Sequence, residues 1–328
     1  MTATALVITD AKTMELQSYE VPQLKADDVL IRTEYSGVSQ GTEIDAYRGA
    51  RPELTFPTVT GYQSVGVAEA IGADVSELAI GDRVLFTTSR LPDSYPFTWM
   101  AGHVSHAVVS TSSRAPIKLP AEVDPVEAAL TAMVAVGLGG IQLIRVELGD
   151  VVLVSGQGLI GQASAQLARA RGAVVVTTDL SATRARLSGL HSADVALHLG
   201  AQDVDAMLQE LAPGGVDVVI ETSGRADQFA PSIDRIRTQG TLLLQGYYKQ
   251  HIDIDFHPTH IKKPTIAAAC GFGDMHLALS LLRWHKVRFR DLVTHLATPA
   301  DAPDLFAKME AGDPDILGVV FDWSSVGG

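Results

Sequence analysis

The sequence predicts a two-domain α/β protein, in which a doubly wound parallel sheet is joined to a β-rich domain. Before Pro125, short strands alternate with polar turns, whereas after it strand-like and helix-like segments alternate. The length of 328 residues is sufficient for two domains. We expect the β-rich domain to comprise residues 1–125 and 271–328 and the parallel sheet residues 126–270.

The β-rich domain is predicted from short apolar runs separated by polar or glycine-containing turns. A last segment, Asp301–Trp323, has the pattern of a helix, a turn at Gly312 and a strand, and we expect it to return to this domain. The predicted strands in the first part are Thr4–Ile8, Met14–Tyr19, Val29–Thr33, Pro57–Ala70, Gly81–Phe86 and Ala107–Val109.

The parallel sheet is predicted from buried apolar runs of strand length that are separated by helical patterns. The predicted strands are Val151–Val154, Ala173–Val176, Asp194–Leu197, Val216–Ile220, Gly240–Gly246 and Thr265–Ala269. The predicted helices are Val126–Val136, Ile141–Arg145, 162–171, Ala182–Leu190, Val204–Leu211, Gln228–Arg237 and Met275–His285.

A glycine motif follows the first strand of this sheet. Gly156, Gly158 and Gly161 have the spacing G-x-G-x-x-G and precede an alanine-rich helical segment. The first glycine permits a tight turn, the second lets the backbone approach a pyrophosphate, and the third lets the helix pack closely on the strand. The order of strand, glycines, helix and strand predicts a Rossmann dinucleotide site. The alternative is a glycine-rich turn in some other α/β protein.

Asp179 ends the second strand of this unit, about 20 residues after the glycines, where a carboxylate binds a ribose 2′-hydroxyl. It favours NAD over NADP, although Arg184 and Arg186 follow closely and leave that choice open. Ligands of such sheets bind at the carboxyl ends of the strands. The residues that we expect to contact the cofactor are Gly156, Gly158, Leu159, Ile160, Gly161, Asp179, Arg184, Thr222, Ser223, Gln245 and Gly246.

The composition excludes several classes of protein. A formal net charge of −13 gives no basic footprint for nucleic acid or an anionic membrane. The single cysteine, Cys270, allows neither a disulfide framework nor a cysteine-based zinc cluster within one chain. The amino terminus lacks a signal-peptide pattern and no apolar run has membrane-spanning length. We therefore expect a cytoplasmic protein that acts on a small molecule.

The sequence resembles the medium-chain dehydrogenase/reductase superfamily along its whole length, with its motifs in Tyr35–Glu43, Gly61–Gly66, Gly81–Val84 and the glycine turn. Within it, the closest resemblance is to bacteriochlorophyllide dehydrogenases, which oxidise a 3-hydroxyethyl side chain to acetyl with NAD. That likeness lies in Ser36–Glu43, Leu244–Tyr248, Asp255–Phe256 and Gly312–Trp323. The resemblance implies a GroES-like β-rich domain and a homodimer joined through the Thr265–Ala269 strands.

The departures from the superfamily pattern concern its metal. The positions that resemble the three catalytic zinc ligands are Ser39, Tyr62 and Met133, and the four-cysteine structural zinc loop is missing. None of these three side chains is a good zinc ligand. The sequence therefore predicts a zinc-lacking branch with no metal. The Leu91–Met100 loop, which replaces the structural zinc region, could line an apolar pocket with Tyr95, Phe97 and Trp99 or simply pack.

Without zinc, the alkoxide-like charge of alcohol oxidation needs hydrogen-bond donors and a path for the proton. The resemblance makes Thr42 a candidate relay and Tyr62 a candidate donor, with Ser39, Glu43, Asp45 and His106 as further candidates.

Structural uses compete with these roles. Thr42 could cap the next helix, Tyr62 could fill the space of the missing metal, and Glu43 could pair with Arg48. A basic cluster after the fifth predicted strand could bind an acidic substrate or the cofactor's phosphates, or be a solvated loop; it contains Lys249, His251, His257, His260, Lys262 and Lys263.

Three functions remain open. The first is a zinc-independent, NAD-dependent oxidoreductase that interconverts a secondary alcohol and a ketone. The second is a quinone or enoyl reductase, because an activated alkene needs less help from a Lewis acid; such relatives usually use NADPH, which Asp179 disfavours. The third is a non-enzymatic NAD-binding sensor.

Overall fold

The computed structural model describes residues 1–95 and 100–326. Phe97 and Trp99, two of the predicted pocket residues, lie outside this range. The chain divides into two units, of which the first comprises Met1–Ala132 and Val293–Gly328 and the second Met133–Leu292.

The strands, named in chain order, are β1 (Thr2–Asp10), β2 (Thr13–Glu20), β3 (Asp28–Gly37), β4 (Thr58–Val59), β5 (Ser64–Ile71), β6 (Arg83–Phe86), β7 (His106–Ser110), β8 (Ile117–Lys118), β9 (Val151–Ser155), β10 (Val174–Asp179), β11 (Val195–His198), β12 (Val216–Glu221), β13 (Ile236–Leu244), β14 (Thr265–Ala268), β15 (Val293–Ala297) and β16 (Gly318–Asp322).

The α-helices are α1 (Gln40–Tyr47), α2 (Thr111–Arg114), α3 (Pro125–Ala128), α4 (Thr131–Gln142), α5 (Leu159–Ala170), α6 (Ala182–His191), α7 (Val204–Leu211), α8 (Phe229–Arg235), α9 (Phe256–Lys262), α10 (Met275–Arg283) and α11 (Ala302–Glu310). Short 3₁₀ helices span Ala226–Gln228, Arg290–Leu292 and Pro299–Asp301.

The first unit is built on β-sheets. One sheet has the strand order β15-β16-β3-β5-β6-β8, with β7 paired to β3, and a smaller sheet has the order β2-β1-β4. The C-terminal segment belongs to this unit because β16 pairs antiparallel with β3. Phe306, Phe321 and Trp323 from that segment pack in one core with Leu6 and Ile8 of β1.

The second unit is a parallel sheet with the strand order β11-β10-β9-β12-β13-β14. Its central strand β9 is apolar because it is covered on both faces, and Val152, Leu153 and Val154 are fully buried. The reversal of strand order between β9 and β12 places the ends of these strands at the switch point where such sheets bind ligands. These two units confirm the predicted fold class.

Three features differ from the sequence expectations. The helix predicted over Ile141–Arg145 is wrong, because α4 runs continuously to Gln142 and the chain then leaves the helix. A helix, α1, interrupts the β-rich part. The second unit also extends past residue 270, since Gln166 of α5 holds the backbone of Arg288 through a donated bond of 3.0 Å and an accepted bond of 2.7 Å.

Candidate active site

The glycine turn joins β9 to α5 in the second unit. Gly156 has φ +87°, and a Cβ there would lie 3.0 Å from Thr222 Oγ1 and from the Ser223 nitrogen. A Cβ at Gly161 would lie 1.9 Å from the Gly156 carbonyl oxygen. The fold itself therefore requires both glycines, one for its conformation and one for close packing of the helix on the turn.

Gly158 is different, because nothing in the fold requires it. Its φ of −66° and ψ of 177° suit any residue, and a Cβ there would meet no atom within 4 Å. It is the N-cap of α5, where no side chain caps the helix, and Leu159, Ile160 and Gly161 form the first turn. Open space at an uncapped helix start fits the pyrophosphate of a dinucleotide.

Asp179 ties the end of β10 to this turn. Its Oδ2 accepts a hydrogen bond from the Gln157 N–H at 2.6 Å, and its Oδ1 accepts one from the Ser181 N–H at 2.7 Å. The Gln157 side chain is fully buried, and its amide N–H donates to the Gly156 carbonyl at 2.9 Å. Its amide oxygen accepts a hydrogen bond from the Ser188 hydroxyl at 3.0 Å. The turn is thus fixed by internal contacts, with a carboxylate beside it.

The ends of β12 and β13 meet the turn from the other side. Thr222 Oγ1 donates to the carbonyl oxygens of Ser155 and Gly156 at 2.9 and 2.8 Å. A Cβ at Gly246 would lie 2.2 Å from the Gly224 nitrogen, so glycine permits the close approach of the two strand ends.

Sequence reasoning missed the buried carboxylate of Glu221 in this cluster. It accepts bonds from the Ser223 and Gly224 N–H groups at 2.9 and 3.3 Å, and from the hydroxyls of Ser223 and Tyr248. Burial, followed by the bond to Glu221, raises the pKa of Tyr248. An acidic residue at the end of an apolar strand was the available signal. Ser223, expected beside the cofactor, therefore contacts this carboxylate.

Two other predicted cofactor residues have structural contacts. The Gln245 amide accepts a bond from Ser164 Oγ and donates to the Val136 carbonyl, both at 2.8 Å, so it joins α4 and α5. Arg184 lies half-buried in the first turn of α6, where its N–H donates to the Ser181 hydroxyl at 3.2 Å.

The basic cluster after β13 is partly committed to the fold. Lys262 Nζ donates to the carbonyl oxygens of Ile233 and Ile236 at 2.9 and 2.7 Å and also to that of Asp234. These groups lie at the end of α8, where carbonyls lack helical partners. Lys262 is therefore a helix cap, and burial lowers its pKa.

In the first unit, three of the six catalytic candidates come together. The Tyr62 phenol donates a hydrogen bond to Ser39 Oγ and also bonds with the Thr42 side chain. Burial raises the pKa of Tyr62 to about 12, with the contacts to Ser39 and Thr42 acting in the opposite direction. Tyr62 and Ser39 are buried, whereas Thr42 is half-exposed. Thr42 lies within the first turn of α1, and the N-cap residue of this helix is Ser39.

Glu43, a further candidate, points into the unit. Its Oε1 accepts from the Ser39 N–H at 2.8 Å, while its Oε2 accepts from Thr60 Oγ1 at 2.9 Å and lies 2.8 Å from His103 Nε2. Glu43 is fully buried. It does not pair with Arg48, which bonds Glu310 at 3.2 Å instead.

His103 extends this network and was not a sequence candidate. Its Nδ1 lies 2.8 Å from Ser36 Oγ, which accepts a bond from the Trp323 indole N–H at 2.8 Å. The sequence signal was weak, because nothing marks one histidine among ten as facing inward. His106 contacts Ser105 Oγ and Glu69 rather than this network, and burial lowers its pKa.

Two further findings concern metals and membranes. Met133, the third position that resembles a zinc ligand, is buried in α4. Within residues 1–95 and 100–326, no three histidine, cysteine, aspartate or glutamate side chains are grouped as a metal site would require. In the same part of the chain, no helix has the length and apolar character to span a bilayer.

Two family models match the two units. The alcohol dehydrogenase GroES-like domain matches residues 25–113, and the zinc-binding dehydrogenase family matches residues 160–284. Neither range includes Met133, whereas the first includes Ser39 and Tyr62.

Similar proteins are found among polyol dehydrogenases. Sorbitol dehydrogenase of Halalkalibacterium halodurans is 29% identical over 87% of this chain and 89% of its own length. D-arabinitol dehydrogenase 1 of Uromyces fabae is 26% identical over 93% of both chains.

Solved structures share the fold over nearly the whole chain. An Escherichia coli oxidoreductase/dehydrogenase of unknown specificity superposes with a TM-score of 0.87 at 21% identity, covering 98% of this chain and 99% of its own. A Sinorhizobium meliloti protein bound to NADP has a TM-score of 0.84 at 22% identity, with the same coverage. An E. coli protein described as a short chain alcohol dehydrogenase, complexed with NADH, has a TM-score of 0.86 at 18% identity, again with the same coverage. The sequence matches in both units and the shared fold support the expected resemblance to the medium-chain dehydrogenase/reductase superfamily.

Proposed function

We propose that this protein is a zinc-independent, NAD(H)-dependent oxidoreductase that interconverts a secondary alcohol and a ketone. The observation that carries the proposal is the contact of Tyr62 with Ser39 and Thr42, at positions where the superfamily holds its metal or relays its proton. The polyol dehydrogenases to which the chain is similar support the substrate class, since polyols contain secondary alcohols.

The three hydroxyls form a chain that can move a proton. Tyr62 donates to Ser39, and we propose that Thr42, whose side chain is the other partner of the phenol, donates to the phenol oxygen. Ser39 can then donate its hydrogen to the substrate oxygen. In ketone reduction, that oxygen takes the Ser39 proton, Ser39 takes that of Tyr62, and Tyr62 takes that of Thr42. Thr42 is half-exposed and can be reprotonated from water.

The nicotinamide, when bound, accepts or supplies the hydride at the substrate carbon. The chain's own part in holding the dinucleotide falls to the uncapped start of α5 for the pyrophosphate and to Asp179 for the adenosine ribose. Asp179 is buried and lies against the glycine turn, so a 2′-phosphate beside it would face an unscreened carboxylate.

We expect NADH to bind at least about tenfold more tightly than NADPH, because the Asp179 carboxylate repels the 2′-phosphate of NADPH. A repulsion of about 1.4 kcal/mol is enough for a tenfold ratio of affinities. Asp179→Asn should remove most of the preference while retaining an acceptor for a backbone N–H. Fluorescence titration of both nucleotides measures it. Asp203→Asn, at the exposed N-cap of α7, is the control and should keep the wild-type ratio. Equal or tighter NADPH binding by the wild type would contradict NAD specificity.

The side chains at the ligand-like positions do not fit zinc. Zinc in proteins is held by thiolate, imidazole or carboxylate groups, whereas these positions offer a hydroxyl, a phenol and a thioether. With a pKa of about 12, Tyr62 stays neutral at physiological pH, and its oxygen is engaged with Ser39 and Thr42. The residues at these positions therefore favour an oxidoreductase that works without zinc.

The test combines metal analysis with a substrate screen. We expect purified protein to contain far less than one zinc per chain and to oxidise secondary alcohols equally well before and after 1,10-phenanthroline treatment, with NADH formation followed by absorbance. A zinc-dependent alcohol dehydrogenase treated in parallel should lose its activity. The screen includes polyols and a pigment carrying a 3-hydroxyethyl side chain.

Other outcomes of the screen would replace the proposal. Stoichiometric zinc whose removal abolishes turnover would make the enzyme a zinc dehydrogenase. Reduction of quinones or enones without alcohol oxidation would make it a reductase. Nucleotide binding without turnover of any alcohol, ketone or enone would favour an NAD-binding sensor.

A further inference from the structure

We propose that His103 is a positioning residue that holds Ser39 and Tyr62 at hydrogen-bond distance from each other. The proposal rests on the function proposed above, in which these two hydroxyls pass a proton. His103 contacts the segments that carry both of them.

The first contact leads to Ser39. His103 Nε2 lies 2.8 Å from Glu43 Oε2, and the other oxygen of Glu43 accepts the Ser39 N–H at 2.8 Å. The Glu43 carboxylate, in the first turn of α1, thus satisfies the backbone N–H of the N-cap residue. The Ser39 side chain makes no cap bond and instead accepts from Tyr62.

The second contact leads to Tyr62. Gly61 precedes it with φ +95°, and a Cβ at Gly61 would lie 2.8 Å from the His103 ring. The backbone of this segment is tied to the histidine, because the His103 N–H donates to the Thr60 carbonyl at 3.1 Å. Thr60 also donates its hydroxyl to Glu43 at 2.9 Å. The imidazole therefore fixes the approach of the Tyr62 segment to the start of α1.

The second ring nitrogen of His103 and the ring itself also have fixed partners. Its Nδ1 lies 2.8 Å from Ser36 Oγ, which accepts the Trp323 indole N–H, and its ring packs edge-on against Phe321 with centroids 5.6 Å apart. His103 and Ser36 are completely buried. A ring with partners on both nitrogens and no solvent access has one orientation, so it can set the distance between the two hydroxyls.

The experiment compares His103→Ala and His103→Gln with His295→Ala, a half-buried histidine of β15 outside the network. We expect His103→Ala to lower kcat about tenfold, since small displacements of reacting groups are costly. The affinity for NADH should not change, because the glycine turn belongs to the other unit. His103→Gln retains a donor to Glu43 and should recover much of the loss. His295→Ala should behave as wild type.

A second readout does not depend on turnover. In protein labelled with 3-fluorotyrosine, the ¹⁹F resonance of Tyr62 is assigned by its loss in Tyr62→Phe. We expect that resonance to shift in His103→Ala and to stay in place in His295→Ala. Absence of turnover in the wild type would refute the proposed function, whereas the resonance would still test the positioning.

Two results would overturn the proposal. One is folded His103→Ala with wild-type kcat and an unshifted Tyr62 resonance. If His103→Ala does not fold, Ser36→Ala is the smaller change, since it removes only the partner of Nδ1. Ser36→Ala should lower kcat and shift the Tyr62 resonance in the same direction as His103→Ala. Wild-type values of both quantities in Ser36→Ala are the second result, and they would exclude a positioning role.

Discussion

Tyr62→Phe is expected to lower kcat by about 10²-fold, the usual effect of removing one donor from a site that stabilises a developing negative charge. The substitution deletes the central oxygen of the hydroxyl chain, so a proton can no longer pass from Thr42 to Ser39. Nucleotide binding should be unaffected. Steady-state turnover with the best alcohol of the screen, together with an NADH titration, measures both effects.

The fold should tolerate this substitution, because phenylalanine fills the same buried volume. Circular dichroism and the unfolding midpoint serve as the control. The pH dependence adds a further check: with a pKa of about 12, Tyr62 stays protonated at all working pH values, so its titration should not limit turnover below that pH. Wild-type kcat in a folded Tyr62→Phe protein would remove the phenol from the mechanism.

Gly158→Val is expected to weaken NADH binding by at least about 10²-fold, equivalent to about 2.7 kcal/mol. Valine suits the backbone angles of Gly158, and its side chain would enter space that no protein atom occupies. The cost should therefore fall on the ligand rather than on the fold. The dissociation constant for NADH and the unfolding midpoint of the free protein separate these effects.

Two other glycines make the comparison sharp. Gly214→Val, also in open space in the same unit, should leave both quantities unchanged. Gly161→Ala should lower stability, since its Cβ would lie 1.9 Å from the Gly156 oxygen. Wild-type NADH affinity in folded Gly158→Val would place the pyrophosphate elsewhere.

The sequence predicted what depends on local pattern. Apolar runs of strand length separated by helical segments are enough to indicate a doubly wound sheet, and they did so for β9 to β14. The glycine spacing located the turn because Gly156 and Gly161 each meet a local geometric need of the fold. The motif at Ser39 and Tyr62 placed two hydroxyls in one region by resemblance, and the structure puts them in contact.

The sequence could not predict the partners of these groups, because those depend on pairings between distant segments. His103 is 60 residues from Glu43 along the chain, and Trp323 is 287 residues from Ser36. In the sequence, Glu221 looks like an ordinary residue at the end of a strand. Only the structure shows that the hydroxyl of Tyr248, 27 residues later, donates a hydrogen bond to it. The sequence indicated helix α1 only as the helix that Thr42 could cap, because its buried residues include Glu43 and Asp45 and no apolar stripe marks it.

Helix α1 also shows a compromise between activity and stability at a single atom. A serine at the N-cap ordinarily contributes about 1 kcal/mol by accepting a backbone N–H, yet the Ser39 oxygen is committed to a phenol. Once that phenol is removed, the serine is free to cap its helix. Selection for stability alone, such as heating a mutant library without an activity screen, would therefore enrich Tyr62→Phe, which removes the phenol oxygen and keeps the buried ring.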